Sequence, residues 1–186
     1  MHRRNFLLAA GSALLATAAP AVAAHADGPA DDHTSLLLVV AAELLTLDFY
    51  ERALASDTLG PRLRKAFARA RFNEQEHYDF IASQLGPTAS KPGDFGFAYP
   101  DGTFSSAAGA LGAAEQIETT VLGAYLGAVP GLASPVLRSA FARIAASEAE
   151  HLSAISGARR GRPVGVSFPA PLDVQQATDR LEPFFA

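Results

Sequence analysis

The sequence predicts an all-α protein: a four-helix bundle with a long crossover between the second and third helices, plus a short C-terminal helix. Three observations carry this. Ala and Leu abound while β-branched residues are few, which favours helix over sheet. Four long stretches carry apolar residues at a spacing of three to four. Their connections run short, long, short, and short loops make antiparallel neighbours.

Taken from the N-terminus, the first element is a targeting segment. "MHRRNFLLAAGSALLATAAPAVAAHADG" has a basic start, a moderately apolar stretch and small residues at its end. Arg3-Arg4, followed by Asn5, Phe6, Leu7 and Leu8, resembles a twin-arginine export signal. Gly11, Ser12, Thr17 and Pro20 dilute the apolar run, which suits a signal better than a membrane span. Cleavage is expected after Ala26, with Ala23 as a second site. The expected destination is outside the cytoplasm: periplasmic, cell-envelope or secreted. Removing residues 1–26 takes away two Arg and no acid, so the net charge moves from −4 to −6.

Residues 27–33, "DGPADDH", read as a flexible acidic leader, and residues 34–186 as the bundle with its tail. Thr34 is the expected N-cap of the first helix, which runs to about Ser56 before "DTLG" breaks it. Pro61 opens the second helix and Gly86-Pro87 closes it. Residues 86–104 are rich in Gly and Pro and form the crossover, with a reach of roughly 60 Å when extended. The third helix is expected from about Ser105 to Val129, stopped by Pro130-Gly131. Ser134-Pro135 supplies a cap and an N1 proline for the fourth, expected to end at Gly157. A short helix is predicted near Asp173–Leu181.

With 49% hydrophobic and 18% charged residues, the chain can build a sizeable core. Basic residues are mostly Arg and form no patch interleaved with aromatics, which argues against nucleic-acid binding. There is no cysteine, so disulfides, thiolate chemistry and Cys-ligated zinc are excluded.

The core stripes carry the functional signal. The first helix gives Leu36, Val40, Glu43, Leu47, Tyr50 and Leu54. The second gives Leu63, Phe67, Ala70, Glu74, His77, Ile81 and Leu85. The third gives Leu111, Ala114 or Glu115, Glu118, Leu122, Tyr125 and Val129; the fourth gives Leu137, Phe141, Ile144, Glu148, His151 and Ile155. Every stripe is apolar except near its middle, where each places a carboxylate and two add a His one turn later. Glu43 and Glu118 each precede a Tyr by seven residues, so the chain reads as two similar helix pairs.

Four carboxylates converging in an apolar core would repel one another and bear a desolvation cost of several kcal/mol each. Two divalent cations would neutralise them, with neutral imidazoles completing the coordination. Glu and His at i, i+3 share a helix face, so both can point at one ion. One Glu-x-x-His is weak evidence; two at matched depth, with a lone mid-helix Glu on each remaining helix, form the donor set of dinuclear carboxylate bundles. Glu115 lies one turn before Glu118 and competes with it; the Tyr spacing favours Glu118. Glu76 and Glu150 point off the stripe and are expected to be exposed, as is His33. Tyr50 and Tyr125 are expected as core residues.

The stretches "ELLTLDFYERAL", "NEQEH", "GDFGF", "EQIETTVLGAYLGAVP", "SPVLRSAF", "EAEH" and "PLDVQQATDRLEPFF" carry a resemblance from about Leu36 to the C-terminus. The chain resembles the bacterial exported ferritin-like domain family, a branch of the ferritin-like superfamily. The resemblance implies a metal-ligand pattern falling on Glu43, Glu74, His77, Glu118, Glu148 and His151. Many relatives carry further acids on the first helix where this chain has Thr46 and Leu47, so the surroundings here are less acidic. The expected cofactor is two divalent metal ions, iron first and manganese as the alternative. Glu74 and Glu148 would bridge them and Glu43 and Glu118 would be terminal ligands. The implied role is oxidase, ferroxidase or peroxide handling, with oxygen or peroxide as the small partner. The rival expectation is a non-catalytic envelope protein protective under stress or drying. The export machinery is an expected partner, and a homo-oligomer is admitted. A storage subunit forming a shell is disfavoured by the export signal and the large crossover.

Overall fold

A computed structural model describes residues 31–186. The signal peptide read at residues 1–26 and the leader at 27–30 lie outside the described residues. Four long helices, α1 (Asp32–Ala55), α2 (Pro61–Leu85), α3 (Ala107–Ala128) and α4 (Pro135–Arg160), form the bundle, and α5 (Val174–Leu181) closes the chain. No strand occurs among the described residues; one isolated antiparallel bridge joins Phe97 to Phe185.

The helix ends correct several sequence expectations. Thr34 is not the N-cap of α1. Asp31 is, its carboxylate accepting from Thr34 N at 2.6 Å, so residues 32–33 belong to the helix rather than to a leader. Asp32 adds a tertiary reason: its carboxylate accepts from Ala133 N at 2.6 Å and Ser134 N at 2.9 Å, tying the start of α1 to the head of α4. α3 is capped by Ser106 and begins two residues later than expected. α4 passes through Gly157 and ends at Arg160, because the residue able to take the left-handed cap is Gly161, at φ 68°. The cap at Ser134 falls as predicted, and the short helix expected near Asp173–Leu181 is present with Asp173 as its cap.

The two halves repeat one another. Arg64 Nη atoms donate to Leu54 O at 2.5 Å and Ser56 O at 2.6 Å, closing the α1–α2 turn. Arg138 donates to Leu132 O at 2.5 Å and Ala133 O at 3.1 Å, closing the α3–α4 turn. Each Arg satisfies carbonyls that the loop leaves unpaired.

α2 and α4 bury a single stripe, whereas α1 and α3 are buried around much of their circumference. α1 is long and apolar enough to cross a membrane by length and composition, but 83% of that window is buried inside the bundle. A helix apolar on all sides needs covers on all sides, and the crossover and C-terminal tail supply them. Tyr99 of the crossover packs on Phe49 and Phe104 and donates to Asp48 Oδ2 at 2.8 Å. Ala98 N donates to Phe184 O and Ala186 N to Gly96 O, both at 2.8 Å, so the crossover and the C-terminus hold each other. The segment before α5 lies directly on α3, where Leu172 N donates to Gly123 O at 2.8 Å. A Cβ on Gly127 would stand 1.8 Å from Leu172 O, so this approach requires glycine.

Gly127→Ala is therefore expected to destabilise the protein by about 1–3 kcal/mol. Gly112→Ala, whose Cβ would meet nothing within 4 Å, is expected to raise stability by up to about 1 kcal/mol. Denaturant midpoints of the two variants test both; a tolerated Gly127→Ala would contradict the close approach.

Candidate metal centre

All six sequence-predicted residues meet at mid-bundle. Glu43 from α1, Glu74 and His77 from α2, Glu118 from α3, and Glu148 and His151 from α4 are all buried. The helical period brings this about: each residue lies on its helix's buried stripe, flanked one turn away by apolar residues such as Val40 and Leu47, Ala70 and Ile81, Ala114 and Leu122, and Ile144 and Ile155. Two groups of donor atoms result, each with all atoms within 4.8 Å of one another. One is Glu43, Glu74, His77 and Glu148; the other is Glu74, Glu118, Glu148 and His151. Such groups could hold metal ions.

Glu74 and Glu148 are common to both groups, and their individual oxygens divide between them. Glu74 presents Oε2 to His77 Nδ1 at 3.3 Å and Oε1 to His151 Nδ1 at 2.8 Å. Glu148 presents Oε1 to His77 Nδ1 at 3.0 Å and Oε2 to His151 Nδ1 at 3.1 Å. Glu43 and Glu118 each serve one group. Glu43 Oε2 lies 3.9 Å from His77 Nδ1, and Glu118 Oε2 lies 3.5 Å from His151 Nδ1.

The outward oxygens of these two carboxylates have a partner that the sequence did not disclose. Tyr50 donates to Glu118 Oε1 and Tyr125 donates to Glu43 Oε1. The exchange is crossed: the Tyr of α1 serves the Glu of α3, and the reverse. Seven-residue spacing placed both phenols in the core but held no information about which helix they would reach. Burial, reinforced by the carboxylate each one faces, pushes both phenols well above the usual tyrosine range, so they remain O–H donors.

Electrostatics and hydrogen bonding then fit a cation. Glu43 Oε2, Glu74 Oε1, Glu118 Oε2 and Glu148 Oε1 are buried without a hydrogen bond. Two of these four lie within 3.0 Å of a His Nδ1, but the approach lacks hydrogen-bond geometry. His77 Nδ1 and His151 Nδ1 each hydrogen-bond one carboxylate oxygen of their own helix, but four further inward oxygens without a donor, gathered around two imidazole nitrogens, suit ligands around an ion. Burial, then the charges of Glu74 and Glu148, raises Glu43 well above the ordinary carboxylate range. Burial, then Glu118, raises Glu148. Burial opposes protonation of His77, but its contacts with Glu148 and Glu74 outweigh it and hold the ring up at about 9. His151 is raised further, its burial outweighed chiefly by Glu118. All four shifts run upward, the direction in which a crowd of buried carboxylates favours added positive charge.

A ferritin-like domain model matches residues 31–160. The chain belongs to the ferritin-like domain family. A search of curated proteins finds no match. The all-helical bundle and the carboxylate–histidine cluster are consistent with that family.

Residues weighed as rivals lie elsewhere in this ferritin-like domain. Glu115 is drawn outward into ion pairs with Arg159 and Arg160. Glu76, Glu150 and His33 are exposed. Thr46 reaches the centre, its hydroxyl 2.8 Å from Glu43 O and 3.4 Å from Glu74 Oε2. A cavity of about 230 Å³, lined by Leu63, Phe67, Asn73, Glu150, His151 and Ile155 among others, opens beside His151. A larger one, about 430 Å³, lies against Glu115, Arg180 and Phe184 and includes none of the six donor residues.

Tyr50→Phe and Tyr125→Phe each strip a buried carboxylate oxygen of its donor. Each is expected to destabilise the metal-free protein by about 1–3 kcal/mol, with similar values for the two. Urea unfolding of both variants checks this, and a neutral effect at either site would count against the crossed pairing.

Proposed function

We propose that this exported ferritin-like protein binds a dinuclear centre of iron or manganese and works as an oxidase, a ferroxidase or a peroxide-handling protein. The observation that carries the proposal is the division of the Glu74 and Glu148 oxygens, one of each facing each histidine. Glu74 and Glu148 would thus serve both ions, with Glu43 and His77 completing one position and Glu118 and His151 the other. Oxygen and imidazole donors without thiolate suit iron or manganese. When bound, such ions supply electron exchange with Fe(II), oxygen or peroxide.

The chain's own residues contribute binding, charge and exclusion of water. The four carboxylates balance two divalent ions, and Tyr50 and Tyr125 hold the terminal carboxylates with one oxygen turned inward. The apolar layers above and below, including Phe67, Phe141, Ile81 and Ile155, keep the interior dry, which strengthens each charge interaction. The cavity beside His151 is wide enough for a small oxidant. The twin-arginine signal fits a protein exported already folded, with residues 34–186 as the working domain.

Glu74→Ala combined with Glu148→Ala is expected to abolish bound metal while leaving the far-UV helical signal intact. Elemental analysis and circular dichroism read the two effects. Folded wild-type protein that takes up neither iron nor manganese would overturn the proposal. Mn(II) supplied at about 100 times its Kd should stabilise wild type by about 2.7 kcal/mol, visible as a higher Tm that the double variant lacks. Metal binding without any turnover of Fe(II), oxygen or peroxide would point instead to a protective, non-catalytic envelope protein.

A further inference from the structure

The pseudo-two-fold that relates the two halves of the centre breaks at the residue before each Glu-x-x-His. Asn73 immediately precedes Glu74, and its counterpart Ser147 immediately precedes Glu148. The Asn73 side-chain amide reaches across from α2 to α4, where Nδ2 lies 3.0 Å from His151 Nε2 and donates to Ser147 Oγ at 3.4 Å. The shorter Ser147 side chain makes no matching contact with His77. Among the described residues His77 touches the carboxylates through Nδ1, and its Nε2 has no hydrogen-bond partner.

The chemistry of the ring assigns the direction of the Asn73 contact. His151 turns Nδ1 toward Glu74, Glu118 and Glu148. A neutral ring with its proton on Nδ1 would accept at Nε2, but once Nδ1 is given to an ion the proton sits on Nε2, which then donates. A donating Nε2 calls for the amide turned about its last bond, so that Oδ1 takes the place of Nδ2 and accepts from the ring and from the Ser147 hydroxyl. An acceptor on the far nitrogen fixes the tautomer and orientation of a ligand ring and makes the near nitrogen more basic. Thr46 offers no equivalent compensation on the other side, because its contact is with Glu74, which is shared by both positions.

Resting on the metal-binding reading above, we propose that Asn73 is a positioning residue for His151. It makes the two metal positions unequal, so that the one formed by Glu118, His151 and the shared carboxylates fills first and holds its ion more tightly. The position containing Glu43 and His77 exchanges its ion more readily.

The test is an oxygen-free titration of Mn(II) into metal-free wild-type protein, followed by calorimetry and by the resonance signal of free Mn(II). Two resolved steps are expected. Asn73→Ala should weaken the tighter step by about 10–100-fold and leave the weaker step within about threefold. Asn73→Asp, which keeps an acceptor for Nε2–H, should restore the tight step. A role confined to packing would not produce that rescue. His77→Ala should remove the weak step and His151→Ala the tight one, which tests the order of filling even if an Asn73 variant fails to fold. Two equal steps in wild type would overturn this inference while leaving the metal reading standing. So would an Asn73→Ala variant that changes neither step or both alike, or an Asn73→Asp variant that does not recover. Wild-type protein that binds no Mn(II) and no iron would overturn both.

Discussion

Four carboxylates in the dry centre of one bundle need positive charge, and the interior is organised around that need. Glu43, Glu74, Glu118 and Glu148 are each no more than 1% exposed. Water cannot screen them from one another, and an unpaired charge in such surroundings costs several kcal/mol. Protons can supply part of the balance, and the raised Glu43, Glu148, His77 and His151 show where they would settle. Two divalent ions would supply it more completely. Metal binding and protonation would then compete for one set of atoms.

Keeping such a site dry sets requirements on the rest of the chain. α1 and α3 contribute no histidine to the centre, yet they are the most completely buried helices. Their outer faces are covered by a crossover and a C-terminal tail that clasp each other through the Phe97–Phe185 bridge and the Phe95, Phe97 and Phe185 rings. Gly123 and Gly127 let the tail lie against α3. The long crossover is thus a structural cover as well as a connection. The crossed Tyr–Glu pairs join α1 to α3 through the centre itself, so packing and site geometry depend on the same contacts.

Near-symmetry gives the protein two similar positions, and small departures from it make them distinguishable. The Arg64 and Arg138 turns, the two Tyr–Glu pairs and the two Glu-x-x-His turns all obey the repeat. Asn73 against Ser147 does not, and neither does Thr46, which contacts Glu74. Changes of this size leave the fold untouched because they fall at partly buried or polar positions beside the stripe. They fall beside His151 and Glu74, where one hydrogen bond would orient a proposed ligand.

Much of this was legible before any tertiary information. The helical period identified the bundle, all four stripes and each of the six central residues, because a buried face repeats every three to four residues and a carboxylate within it stands out. Helix ends were less legible. Asp31 took the cap expected of Thr34, and Gly161 rather than Gly157 ended α4, because several nearby residues could serve and long-range contacts such as Asp32 with the α4 head chose among them. Periodicity records which face of a helix points inward, but not which neighbour it meets. The rotation and crossing of the helices therefore decided that Tyr50 serves Glu118, that Glu74 and Glu148 split their oxygens between two histidines, and that Asn73 reaches His151. The sequence by itself determined the donors and their depth; only packing between helices decided how their atoms are shared.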